Sequence, residues 1–140
     1  MFSSFDVSTS ALVAQRIRMN AISSNIANIS TTHNEAGELD PFKPRFTVFE
    51  TDPGVGSHGA AGVKVASVEI DQEAQPRYRY QPGHPDAIQE GPMKGYVAYP
   101  DINMMTEFTD ALEAARAYEA NLGAIEIAKD LAQQTLRILV

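Results

Sequence analysis

The stretch Asp101–Val140, DINMMTEFTDALEAARAYEANLGAIEIAKDLAQQTLRILV, contains no proline and a single glycine, Gly123. Met104, Phe108, Ala111, Ala115, Tyr118, Leu122, Ile125, Lys129, Ala132, Leu136 and Leu139 recur through it at alternating spacings of three and four. All but Lys129 are apolar, and the spacing predicts one long helix carrying a coiled-coil seam. Asp101 or Asn103, just after Pro100, suits the N-cap, and Glu107 and Asp110 suit the positive end of the helix dipole. At 1.5 Å per residue such a helix is on the order of 55 Å long. A second seven-spaced row, Ala117, Ala124, Leu131 and Ile138, lies beside the seam, with Ala114 and Ala128 between. A face this broad and this rich in alanine suits close packing against several helices.

Outward from that stretch, the punctuating residues divide the chain into three segments. Residues 1–33 have no Gly and no Pro, and residues 101–140 have only Gly123. Residues 34–100 hold every proline and every other glycine. Net charges are +1, −4 and −4 across the segments 1–33, 34–100 and 101–140, −7 in all. Turn residues confined to the centre predict two helical ends around a strand-and-loop middle. The expected fold class is therefore α+β, with long N- and C-terminal helices forming a coiled-coil-like layer and a small β-rich middle segment.

The N-terminal segment repeats the heptad design less strictly. Phe5, Leu12, Met19 and Ile26 lie seven apart, interleaved with Ser8, Gln15, Ile22 and Ile29. Ser3, Ser4 or Asp6 is placed to cap this helix, and Asn28-Ile29-Ser30-Thr31-Thr32 to end it, because short polar side chains compete for the backbone. In the middle, Arg45–Phe49, Val63–Ile70 and Arg77–Tyr80 alternate as strands do. Pro53-Gly54-Val55-Gly56 and Pro82-Gly83 are turn chemistry, and residues 50–62 and 83–95 read as loops.

A helix of about 55 Å exceeds the roughly 30 Å diameter of a compact globule of this length. Each buried Leu, Ile or Met contributes roughly 1.5–3 kcal/mol, which an exposed seam forgoes. The N-terminal helix is shorter, and polar at Ser8 and Gln15, so it covers only part of that seam. The physics points to terminal helices that pack against those of other molecules. The alternative is ordinary two-helix packing within one molecule.

Composition narrows the function classes. An acidic chain with no Lys/Arg cluster argues against binding nucleic acid or anionic membrane surfaces. With no cysteine, there is no disulfide, no thiolate metal site and no Cys nucleophile. No apolar run approaches the ~18–20 residues that span a bilayer, so no direct membrane insertion is expected. Asp6, Arg16 and Arg18 do not fit a cleavable secretory leader.

Chemistry-bearing side chains are sparse. His84 and Asp86 invite a metal or acid/base reading, but a zinc or catalytic centre needs three or four convergent ligands. His33 and His58 sit in loop-like segments, and no helical H-x-x-x-H occurs. A structural turn is the expected role of Pro82–Ala87. Glu113, Glu119 and Glu126 read as solvated helix-face carboxylates, and Gly54, Gly56, Gly59 and Gly62 lack the Lys and helix of a phosphate cradle. No cofactor is expected.

Placed in order, several motifs resemble one family. Ser24-Asn25-Ile26-Ala27-Asn28, ahead of Thr31-Thr32, is similar to the N-terminal signature of flagellar rod and hook axial proteins. Arg116-Ala117-Tyr118-Glu119-Ala120-Asn121 is similar to their C-terminal signature. Between them, Gly62–Val65, Tyr80–Ala87, Gly95-Tyr96-Val97 and Pro100–Asn103 resemble the short proximal-rod members. The loop from Ile88 to Lys94 is longer than is usual there, and Pro41–Arg45 replaces a more common tyrosine followed by basic residues.

The resemblance implies a structural, non-enzymatic subunit of the proximal rod of the flagellar basal body, which transmits torque from motor to hook. It implies export through the flagellar type III apparatus without signal cleavage. It further implies assembly with other rod proteins and with copies of itself, the terminal helices inside and the middle segment further out. The residues expected at subunit interfaces are Leu12, Met19, Ile22, Asn25, Ile26 and Asn28 in the first helix. In the second they are Phe108, Ala115, Arg116, Tyr118, Asn121, Leu122, Ile125 and Leu136. Two other readings are a helical adaptor that does not polymerise and a small metal-dependent enzyme at His84 and Asp86.

Overall fold

The computed structural model describes residues 2–34, 36–55 and 59–138, with backbone alone at Phe2 and Ser3. Leu139 of the expected seam, and Gly56 and His58, lie outside the described residues. The chain runs α1 (Phe2–Ala27), β1 (Arg45–Asp52), β2 (Gly62–Ile70), β3 (Arg77–Tyr80), β4 (Tyr96–Tyr99) and α2 (Met104–Ile138). This is the expected α+β arrangement of two long terminal helices around a small β middle.

α2 starts where its capping chemistry dictates. The Asn103 side-chain Oδ1 accepts from the Met105 N–H at 3.0 Å, and its carbonyl accepts from the Glu107 N–H. α1 differs from expectation at its start. It is already helical at Phe2, so Ser3, Ser4 and Asp6 lie within the helix rather than capping it. Its other end closes on Asn28, whose backbone N–H and side-chain Nδ2 both donate to the Ser24 carbonyl.

The two helices form an antiparallel pair: Asn25 near the end of α1 meets Glu107 near the start of α2, and Arg18 meets Asp110 and Glu113. The β1–β2 hairpin lies against α1 as well. Arg45 pairs with Ile70 at one end and Asp52 with Gly62 at the other. The register shifts after Val48, which leaves Ala66 as a bulge. α1 is thus the spine, flanked by α2 and by the hairpin, while α1 is the only helix or strand that α2 touches among the described residues.

The second sheet, β3–β4, stands apart from both helices. β4 was legible as a motif but not as a strand, and the structure adds it opposite β3, with Tyr80 facing Tyr96 at 5.3 Å between ring centroids. Val97 is fully buried there. Gly95 has φ 82°, and a Cβ on it would stand 2.8 Å from the Tyr80 ring. The core is thin: among the described residues, Ala14, Ala21, Ile22, Ala87, Val97, Ile102 and Ala114 are the buried apolar ones.

Candidate functional site

The face of α2 decides what this molecule can do. Among its covered positions, Glu107, Ala111, Ala114, Tyr118, Asn121, Ile125, Ala128 and Ala132 recur every three or four residues as one stripe, with Asp110, Ala115, Ala117 and Gly123 half-buried beside it. Ala114 is the one residue of α2 that is buried. Small and polar side chains dominate this stripe, which allows α1 to approach closely.

Many large apolar side chains of α2 lie off that stripe, or in the case of Leu136 beyond its last covered turn, and face solvent. Phe108, Leu112, Leu122, Ile127, Leu131, Leu136 and Ile138 are all exposed, Leu136 at 64% and Leu112 at 61%. So many large apolar side chains in solvent along a 35-residue helix, interspersed with Arg116, Glu119, Glu126 and Asp130, exceed the few that an ordinary surface shows. The hairpin adds exposed Phe46, Phe49, Val68 and Ile70.

The expected interface residues therefore fall into two sets. Phe108, Arg116, Leu122 and Leu136 are open to solvent in the single chain. Ile22 and Asn25 are buried, and Leu12, Met19, Ile26, Asn28, Ala115, Tyr118, Asn121 and Ile125 are half-buried. The α1 stripe is thus largely shielded by α2 and the hairpin, whereas the broad outer face of α2 has no cover within the chain. Leu112 and Ile127 were not singled out by the seam, although apolar side chains on a long helix are their own signal.

Asn25 is 3% exposed and its amide is used within the chain. It bonds Arg45 on β1 and donates to the Glu107 carboxylate at 3.2 and 3.3 Å. Around this junction a groove of about 380 Å³ is lined by Arg18, Ile22, Asn25, Phe46, Phe49 and Glu107, among others. Desolvation raises the pKa of Glu107, the nearby Asp110 raises it further, and the Asn25 hydrogen bond opposes both. Arg18 is held by Asp110 at 3.5 Å and Glu113 at 3.0 Å.

His84 and Asp86 build a turn. The Asp86 N–H donates to His84 Nδ1 at 3.1 Å, and the Thr32 hydroxyl donates to the Asp86 carboxylate at 2.7 Å. His33 comes within 3.6 Å of the same carboxylate. These contacts tie the chain leaving α1 to the loop before β4. Among the described residues no group of three or more His, Asp and Glu side chains is placed to hold a metal. None of the described helices is long and apolar enough to cross a membrane.

Residues 5–33 match the family described as Flagella basal body rod protein, and residues 93–138 match the C-terminal family of flagellar basal body rod FlgEFG proteins. Over almost its whole length the chain is similar to curated relatives. It is 37% identical to the flagellar basal-body rod protein FlgC of Borreliella burgdorferi, covering 99% of this chain and 97% of the relative. The FlgC proteins of Salmonella typhimurium and Bacillus subtilis are each 34% identical, covering 96% and 98% of this chain and 94% and 97% of those relatives.

Proposed function

This chain belongs to the FlgC family of flagellar basal-body rod proteins, and from that premise we propose that it builds the rod through the open face of α2. It is a structural subunit of the flagellar proximal rod that assembles with other rod proteins. The observation that carries the reading is the series of uncovered large apolar side chains from Phe108 to Ile138, on a helix whose stripe from Glu107 to Ala132 is already occupied by α1. In the rod, terminal helices of neighbouring subunits shield that face, and each buried Leu or Ile contributes roughly 1.5–3 kcal/mol to assembly.

On this reading Phe108, Arg116, Leu122 and Leu136 meet neighbours, including copies of the chain itself, while Asn25 and Ile22 shape the subunit from within. Function comes from polymerisation rather than from catalysis, and the subunit binds no nucleic acid. The flagellar type III apparatus carries it out of the cytoplasm without cleavage. Complementation tests the reading: in a strain lacking its own proximal-rod FlgC, the chain restores swimming and appears in purified basal bodies. Swimming restored without the protein in basal bodies counts against it.

A further inference from the structure

The β1–β2 hairpin lies along α1 and is held at both ends by a side chain of that helix. At one end Asn25 brackets a single residue of β1: its Nδ2 donates to the Arg45 carbonyl at 2.8 Å and its Oδ1 accepts from the Arg45 N–H at 2.8 Å. At the other end the Ser10 Oγ accepts from the Val63 N–H of β2 at 3.1 Å and donates to the Val7 carbonyl at 2.7 Å. Gly62 makes the second contact possible, because a Cβ there would stand 2.6 Å from the Ser10 Oγ. Fifteen residues of helix, about 22 Å, separate the two points.

Both strands pack on α1, and the Ser10 contact adds to the Asn25 anchor a second polar anchor at the far end of the hairpin. The Asn25 amide also reaches Glu107, so the same side chain joins hairpin, α1 and α2. We infer that Ser10 and Asn25 are positioning residues that make the hairpin and both helices one rigid body, so that the subunit carries torque without its hairpin swinging. This rests on the rod reading above and assigns the stiffness to two side chains.

The test compares Ser10→Ala and Asn25→Asp with Val97→Ala, which weakens the distant β3–β4 sheet and leaves both contacts intact. Asn25→Asp keeps the acceptor for the Arg45 N–H, loses the donor and sets a second carboxylate beside that of Glu107. In the isolated chain, Ser10→Ala speeds amide hydrogen exchange at Val63 by about tenfold, the size of one hydrogen bond, and Val97→Ala does not. In cells, rods built with Ser10→Ala or Asn25→Asp assemble and turn freely at low load, but swimming fails in viscous medium at loads that the Val97→Ala strain tolerates. Unchanged exchange at Val63 in Ser10→Ala overturns the inference, as does load sensitivity that follows melting temperature across the three variants. Should Ser10→Ala not enter rods, Asn25→Asp and the exchange measurement decide. If the unaltered chain builds no rod at all, the rod reading fails instead, and the exchange result still judges the two contacts.

Discussion

Leu136→Asp separates assembly from folding. The Leu136 side chain is 64% exposed in the single chain, so its removal costs the free subunit little, within about 0.5 kcal/mol for a solvent-facing site. An acidic group in the last turn adds roughly 0.3–1 kcal/mol against the helix dipole. In the rod the accounting is different. Seating the exposed two thirds of a leucine contributes about 1–2 kcal/mol, and an unpaired carboxylate in that contact costs about 2 kcal/mol or more. A combined loss of about 3–4 kcal/mol lowers incorporation by a factor of roughly 100 to 1,000. Leu122→Asp, mid-helix and 43% exposed, is the matched variant without the dipole contribution. The assay pairs circular-dichroism melting of the purified chain with immunoblots of basal bodies and swimming halos. Near-unchanged melting is expected for Leu136→Asp, a loss of about 1–2 kcal/mol for the half-covered Leu122→Asp, and absent rods for both. Wild-type incorporation and swimming in either variant refutes the reasoning.

Three further outcomes follow from local geometry. Burial raises the pKa of Glu107 above its ordinary value of 4.5, so its contribution to stability is fully present below that value and is lost as pH rises through the raised folded pKa. Glu107→Gln should therefore melt higher than wild type at pH 7, with the gap closing on acidification below pH 4.5; a gap independent of pH contradicts this. Gly62→Ala forces a methyl against the Ser10 Oγ and Val55, and denaturant unfolding should show a loss of about 1–3 kcal/mol. Asn103→Ala removes the cap of α2 and should cost about 0.5–2 kcal/mol in the same experiment, with amide exchange quickening in the first turn of α2.

Much of the fold was legible because it follows from local chemistry. The absence of Pro, and of all Gly but Gly123, from the ends marked both helices, Asp101 or Asn103 marked the start of α2, and alternation marked β1, β2 and β3. β4 escaped because Tyr96-Val97-Ala98-Tyr99 is four residues with no polar alternation, fixed as a strand by Arg77–Tyr80 across from it. The capping residues proposed for α1 failed because Ser and Asp side chains are tolerated inside a helix that tertiary packing holds. Periodicity picked out the α2 seam by its alternating spacings of three and four. The chain packs α1 on one flank of that seam: Ala111, Tyr118, Ile125 and Ala132 are covered together with Glu107, Ala114, Asn121 and Ala128, where small side chains permit close approach. Spacing alone does not say which flank of a broad seam the partner within the chain will take. Nor does it show that Asn25 reaches across three elements, since that contact joins residues 20 and 82 positions away.

The central claim is that the outer face of α2 is open in the lone subunit and covered in the rod. The chain has no cysteine, so a single Leu136→Cys or Phe108→Cys reports its own surroundings. Thiol labelling of the purified chain and of intact basal bodies carrying the same variant measures the claim directly. Rapid labelling in the free chain and strong protection in the basal body are predicted. Equal reactivity in the two states, with the variant present in the rod, contradicts it.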